Sequence, residues 1–151
     1  LRTPAWMQGQ PMLDRNRRVA FVAADRFDAQ PERQRSATDG RYQYIRNDRA
    51  ALPLLRPLAF RDVLPTMQEL WRLHAAGALA PAVAQAFAPR APEELYDLAA
   101  DPDTVRNLAA DPAHRRTLVR LRATVDRWQR EVGDTDVPEA EMVATMWPGM
   151  K

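Results

Sequence analysis

A long amphipathic helix near the carboxyl end constrains the fold of this chain more than any other feature. Asp111 followed by Pro112 is typical of a helix start, because it places an N-cap carboxylate before a first-turn proline, and Gly133 is placed to end the helix. The apolar residues between these signals recur at intervals of three and four, and they are Leu118, Leu121, Val125, Trp128 and Val132. Arginines at positions 115, 116, 120, 122, 127 and 130 occupy much of the remaining surface. Such a stripe needs a sheet or another helix to cover it.

The sequence also contains strand patterns, which predict a sheet that would cover this apolar stripe. Residues 18–26 alternate Val19, Phe21 and Ala23 against small apolar residues, which predicts a buried strand, and residues 95–98 predict another. Residues 34–38 and 41–46 flank Asp39-Gly40, a dipeptide that tolerates positive φ and therefore predicts a tight hairpin. Tyr42 and Tyr44 would then share one face of the second hairpin strand.

Short helices are expected between residues 47 and 92, since prolines at 53, 57, 65, 81, 89 and 92 divide this segment. One piece carries Met67, Leu70, Trp71, Leu73 and His74 at helical spacing, and Pro81 suits the first turn of a second short helix. Asp101-Pro102 repeats the cap signal of Asp111-Pro112 and predicts one more helix start.

Together these elements predict an α+β fold, in which a small antiparallel β-sheet packs against a long carboxyl-terminal helix, with short helices in the central insertion. Residues 1–17 are expected to form an extended entry segment, residues 18–134 one subdomain, and residues 135–151 an irregular tail.

The composition excludes several classes of function. Because the 151 residues contain no cysteine, they form no disulfide, no thiolate nucleophile and no Cys-based metal site. No apolar run approaches the roughly 18 residues that a membrane span requires, so no membrane association is expected. The 22 basic residues are nearly balanced by 20 acidic ones, and every basic residue except Lys151 is an arginine. Arginine favours bidentate contacts to carboxylate, sulfate or phosphate, although genome base composition explains the same usage.

Metal and acid-base sites are not indicated. His74 and His114 are the only histidines, and neither has a second ligand at metal spacing, so we expect a helix C-terminal cap for His74 and a solvated ring for His114. Asp101 and Asp111 are interpreted as helix caps rather than metal ligands. We therefore predict no catalytic residue and no metal ligand within these residues.

One phrase of the sequence is unusually specific. Residues 94–109 read ELYDLAADPDTVRNLA. This resembles the pattern E-L-Y-D-L-x-x-D-P-x-E-x-x-N-L-A near the carboxyl end of sulfatases, and it departs at Thr104, where that family usually has Glu. Residues 4–9 and 39–47 also resemble the closing third of bacterial sulfatases of the heparan N-sulfatase branch, so the resemblance covers about residues 4–134.

The resemblance implies the carboxyl-terminal subdomain of a formylglycine-dependent sulfatase. In that family a Cys or Ser within C/S-x-P-x-R becomes the formylglycine nucleophile, and Asp and Asn side chains hold a divalent metal, usually calcium. Ser36 is the only serine here, and it lacks both the Pro and the Arg of that motif. The expected partner is accordingly an amino-terminal catalytic domain, which would carry the calcium and the formylglycine and act on a sulfated glycan or an aryl sulfate. The compartment stays open between bacterial cytoplasm and periplasm.

Asp25 and Arg26 are the candidate substrate-rim residues. Residues 23–28 resemble the family segment A-R-D-R-x-D, which lies near the mouth of the active-site cleft, but Ala24 replaces its first Arg. The alternative is a structural ion pair with Arg35 or Arg41.

A rival interpretation is a free-standing, Arg-rich binding module for an anionic glycan or protein, and a sulfatase-derived pseudoenzyme is a weaker third one. We do not expect a nucleic-acid partner, because acids are mixed with the basic residues and no RNA-recognition motif is present. An exposed apolar face discriminates the first two interpretations, since a subdomain separated from its parent should show one and could self-associate through it. The residues expected on that face are Trp6, Phe27, Phe60 and Trp71.

Overall fold

The computed structural model describes Pro4, Met7, residues 18–27 and residues 30–146. The predicted entry segment 1–17, including Trp6, lies outside the described residues apart from Pro4 and Met7. Across the described part of the chain, no helix combines the length and the apolar character that crossing a bilayer requires.

Four antiparallel strands form the sheet, in the order β1-β2-β3-β4. Their bounds are Ala20–Phe27 for β1, Gln30–Thr38 for β2, Tyr42–Asn47 for β3 and Glu93–Asp97 for β4. The hairpin between β2 and β3 is confirmed: Gly40 has φ of 91°, and the Asp39 carboxylate accepts hydrogen bonds from the backbone N–H groups of Arg41 and Tyr42.

The prediction of a buried first strand is wrong. Strand β1 lies at the edge of the sheet, where it pairs with β2 alone, and most of its residues are exposed. Phe21 packs against the core, but Val22, on the opposite face, is exposed. The alternation of apolar residues therefore marks a strand without telling how many of its faces are covered.

The long helix α4, Arg115–Val132, covers one face of the sheet. Its buried residues Leu118, Leu121 and Val125 form the core with residues that the strand register brings to the same face, namely Ala37, Tyr44 and Leu95. At one end of the interface the Phe21 ring stacks on Trp128, with 4.8 Å between the ring centroids. The α+β prediction, with the sheet packed on this helix, is confirmed.

The predicted ends of this helix are also confirmed. Asp111 caps a 3-10 turn, Pro112–His114, by accepting a hydrogen bond from the Ala113 N–H, and α4 follows directly. Gly133 ends the helix in the left-handed region, with φ of 68°, a conformation that favours glycine because a Cβ is disfavoured there.

No helix starts at Asp101, so that prediction is wrong. The Asp101 carboxylate accepts hydrogen bonds from the N–H groups of Val105 and Arg106, and it thereby closes a turn in which Thr104 has φ of 53°. The chain then returns to the edge of β4, where the Leu108 N–H donates to the Leu95 carbonyl. Because this contact with the edge of β4 competes with helix formation, the same cap signal leads to a loop here.

Short helices fill the insertion between β3 and β4, as predicted. They are α1, Ala59–Asp62; α2, Pro65–Ala75; and α3, Pro81–Ala84, which continues as a 3-10 turn at Gln85–Phe87. His74 lies in the last turn of α2 and packs its ring on Phe87, with 4.5 Å between centroids, so its observed side-chain contact is aromatic, and the capping role stays a prediction.

The tail is not irregular throughout. Residues Glu139–Met146 form helix α5, and the stretch before it is held against the sheet, because the Thr135 carbonyl accepts a hydrogen bond from Arg33.

Two of the residues expected on an exposed apolar face lie on one. Phe27 and Phe60 are both exposed and their ring centroids lie 6.0 Å apart. Trp71 does not belong to this surface: its ring packs edge-on against Phe87 at 5.1 Å and its Nε1–H donates to Asp62.

We expect Leu121→Ala to lower the free energy of unfolding by about 3 kcal/mol, because it removes a fully buried side chain and leaves a cavity between α4 and the sheet. Urea titration followed by circular dichroism measures this change. Val119→Ala is the matched control, since Val119 lies exposed on the same helix, and its effect should stay within about 0.5 kcal/mol. Equal losses from the two variants would contradict the assigned core face of α4.

Candidate functional site

A cavity of about 440 Å³ lies between the β1–β2 end of the sheet and the segment that follows α4. Strands β1 and β2 contribute five of its ionisable residues, and the segment 134–145 closes the opposite side. The ionisable residues of the lining are Asp25, Arg26, Glu32, Arg33, Arg35, Arg49, Asp134, Asp136 and Glu141. The predicted rim residues Asp25 and Arg26 thus both lie at this cavity.

Arg35 is the buried centre of the cavity wall, with only 3% of its side chain exposed. Its guanidinium holds Asp134 in a bidentate pair, with Nε 2.5 Å from Oδ2 and a second nitrogen 2.7 Å from Oδ1. It also donates to the Gln34 carbonyl at 2.8 Å. This pairing holds the pKa of the Asp134 carboxyl well below its ordinary value, and the two carboxylates of Asp134 and Asp25 raise the pKa of Arg35.

Arg33 stands beside Arg35 on the same face of β2 and is also buried. Its Nε donates to Asp48 Oδ2 at 2.9 Å, and another nitrogen donates to the Thr135 carbonyl at 3.2 Å. Arg33 therefore ties the end of β3 to the segment after α4, and with Arg35 it sets the shape of the cavity.

Asp25 takes part in this network. Its Oδ1 lies 2.8 Å from Arg35 and 3.6 Å from Arg33, so the ion pair with Arg35 that the sequence left as an alternative is present. Arg41 pairs instead with Asp97, at 3.0 Å. In addition, 59% of the Asp25 side chain is exposed, so a ligand in the cavity can reach this side chain.

The charges of the cavity are balanced. Four arginines line it together with five carboxylates. Because Arg33 and Arg35 are committed to Asp25, Asp48 and Asp134, the cavity does not present the excess positive charge that would favour an anion. Its chemistry suits hydrogen bonding to hydroxyl groups better than binding of a sulfate.

A second buried ionic cluster is centred on Glu32 of the cavity lining, and the sequence analysis missed it. Glu32 accepts from Arg90 at 2.8 Å and from Arg56 at 3.1 Å, and all three side chains are largely buried. Arg90 also donates to Asn47 Oδ1 at 3.2 Å. These partners are separated by 24 to 58 positions in sequence, so no local spacing could have revealed them.

Glu93 has a structural role. Arg122 of α4 binds both of its oxygens, at 2.6 and 2.5 Å, and the Tyr44 hydroxyl donates to it at 2.6 Å. The guanidinium of Arg122 lowers the pKa of Glu93, while burial and the neighbouring carboxylate raise the pKa of Tyr44. Neither group is placed to exchange a proton near neutral pH.

Metal binding finds no support in these side chains. Among the residues that the structure describes, no three acidic or histidine side chains come together in a group that could hold a metal ion. His114 lies 3.2 Å from Asp111, the residue that caps its own turn.

No protein-family model matches the chain. Over 150 residues it is 41% identical to an ulvan-active sulfatase from Formosa agariphila, and the alignment covers 95% of this chain and 25% of that relative. This chain is homologous to part of a sulfatase. It spans about a quarter of the length of the curated relative it matches.

We expect Asp134→Asn to lower the free energy of unfolding near neutral pH by about 3 kcal/mol, because Arg35 would lose its bidentate partner while staying buried. Asp136→Asn is the control: Asp136 is exposed and lies 4.0 Å from Arg33, so its loss should cost less than about 0.5 kcal/mol. Urea titration of the two variants measures the difference.

The same pair predicts a pH dependence. Since folding lowers the pKa of Asp134 from its ordinary value of 3.8, its contribution is complete above about pH 5 and is lost as the pH falls below 4 towards the folded pKa. Stability measured between pH 6 and pH 2 should therefore fall less steeply in Asp134→Asn than in the wild type. Parallel curves would show that Asp134 is not held by this ion pair.

Proposed function

We propose that this chain is the carboxyl-terminal subdomain of a sulfatase, which packs on the catalytic domain of the same protein and shapes its substrate cleft. The observation that carries the proposal is the 41% identity over 95% of the chain to one quarter of an ulvan-active sulfatase. The sulfatase phrase at residues 94–109 supports the carboxyl-terminal placement.

The side chains of this region support a role outside the chemical step. Ser36, the only serine, is buried in β2 and pairs with Gln43, so it is not available as a nucleophile. On the proposed function, the formylglycine and the calcium belong to the catalytic domain, and sulfate ester or sulfamate hydrolysis takes place there.

A sulfated glycan is the proposed substrate class, and ulvan, the polymer named for the relative, is the first candidate. The balanced charge of the cavity favours sugar hydroxyls over sulfate as ligands of Asp25 and Arg26. An aryl sulfate offers few hydroxyl groups, so it would make little use of this rim.

One observation favours the alternative, a free-standing Arg-rich module. Arg116, Arg127 and Arg130 lie on the solvent face of α4, and no carboxylate among the described residues lies within 4.0 Å of them. A module of this kind should be retained on heparin, with retention that falls as salt rises, and Arg127→Ala with Arg130→Ala should weaken it. Elution at low salt, unchanged in the double variant, would remove this alternative.

The first test is the mass of the protein that source cells produce, detected with an antibody against α4 and confirmed by mass spectrometry. We expect a species several times the 17.2 kDa of this chain, with a formylglycine in its amino-terminal part. A product of about 17.2 kDa would overturn the subdomain proposal.

In the complete protein we expect Arg26→Ala to lower kcat/KM on a sulfated glycan by about tenfold, through a loss of about 1.4 kcal/mol of substrate binding, without unfolding the protein. Asp25→Ala would also disturb Arg35, with which Asp25 pairs at 2.8 Å. Arg116→Ala, on the far surface of α4, is the control. Unchanged kinetics in Arg26→Ala would remove Arg26 from the substrate rim.

A further inference from the structure

An apolar surface lies beside the cavity, at the end of β1 and around α1. Phe27 is 52% exposed, Phe60 57%, Val63 67% and Leu64 52%. Phe60, Val63 and Leu64 follow one another at the three- and four-residue spacing that brings side chains to one side of a helical turn. We call these four residues the α1 surface.

Arg61 lies within this surface, and among the described residues it has no acidic partner. Its guanidinium is placed 6.0 Å from the centre of the Phe27 ring, and it donates to the Arg56 carbonyl at 2.5 Å. Its Nε is buried without a hydrogen-bond acceptor, and no carboxylate of the described residues lies within 4.0 Å of it. A half-buried cation in apolar surroundings is costly unless a counter-charge reaches it.

The α1 surface is held in place by contacts to the sheet. Gln30 donates to the Pro57 carbonyl at 2.7 Å, and Arg56 donates to the Pro31 carbonyl at 2.8 Å while it pairs with the buried Glu32. Its aromatic and cationic groups are therefore presented without a large ordering cost, which favours binding.

We propose that the α1 surface is where the remainder of the parent sulfatase docks, and that this partner supplies an apolar patch and a carboxylate to Arg61. The inference rests on the proposed function. Three quarters of the homologous sulfatase lies outside the matched region, so a large partner surface belongs to the same protein. Aromatic residues and arginine are the side chains that contribute most at protein interfaces.

Protein, rather than glycan, is the occupant that these side chains favour. Sugar rings stack on aromatic faces, but Val63 and Leu64 extend the surface with aliphatic groups that offer a sugar no hydrogen bond. A protein patch can cover all four side chains while it places one carboxylate at Arg61.

Hydrogen exchange tests the docking. The protein is isolated from source cells with the antibody against α4 and is compared with the recombinant 151-residue chain. Backbone amides of residues 59–64 should exchange about tenfold more slowly in the isolated protein than in the recombinant chain. Amides near Val119, on the exposed face of α4, serve as the internal control. Equal exchange at residues 59–64 in a long, formylglycine-containing species would overturn the docking and leave the proposed function standing, whereas a species of about 17.2 kDa would overturn both. Protection that appears in the recombinant chain on adding sulfated glycan would identify a glycan surface and overturn the docking.

Arg61→Lys tests the carboxylate. Lys151 is the only lysine of the chain, so a carbodiimide cross-link from the amine introduced at position 61 is easily identified by peptide mass spectrometry. In the complete protein we expect a cross-link to an Asp or Glu outside residues 1–151, at a yield at least several-fold above that of the Arg116→Lys control. Equal yields from the two variants would overturn the acidic contact.

Discussion

Contact between the apolar stripe of α4 and one face of the sheet is the interaction on which the rest of the structure depends. Leu121 and Val125 cover Tyr44 and Leu95, and this fixes both the direction of the helix and its position along the strands. Because the helix stops at Gly133, the next residue, Asp134, arrives at the buried arginines of β2. The cavity therefore depends on where this amphipathic helix ends.

Buried charge is the second organising constraint. Beyond the apolar part of the sheet, the inner face of β2 carries Arg33 and Arg35, whose burial requires carboxylates from other elements. Glu32, on the other face, is neutralised in the same way by Arg56 and Arg90. Because these arginines are paired with carboxylates, the high arginine content does not produce an anion-binding cavity.

The proposed rim and the proposed docking surface are neighbours. Asp25 and Arg26 line the cavity, and Phe27, the next residue, begins the α1 surface. A partner that docks on Phe27 and Phe60 would lie directly beside the rim. On the proposed function, this geometry would place the rim residues Asp25 and Arg26 at the boundary of the catalytic domain.

Sequence alone determined the elements whose signals are local. The Asp39-Gly40 hairpin, the stripe of α4 and its stop at Gly133 follow from turn chemistry and periodicity, and the sulfatase phrase is a string of neighbouring residues. The exposure of β1, the turn at Asp101 and helix α5 were decided by tertiary structure, because they depend on which face or edge another segment covers. The ionic clusters were decided there too, since partners such as Arg33 and Asp134 lie 101 positions apart and only the packed sheet brings them together.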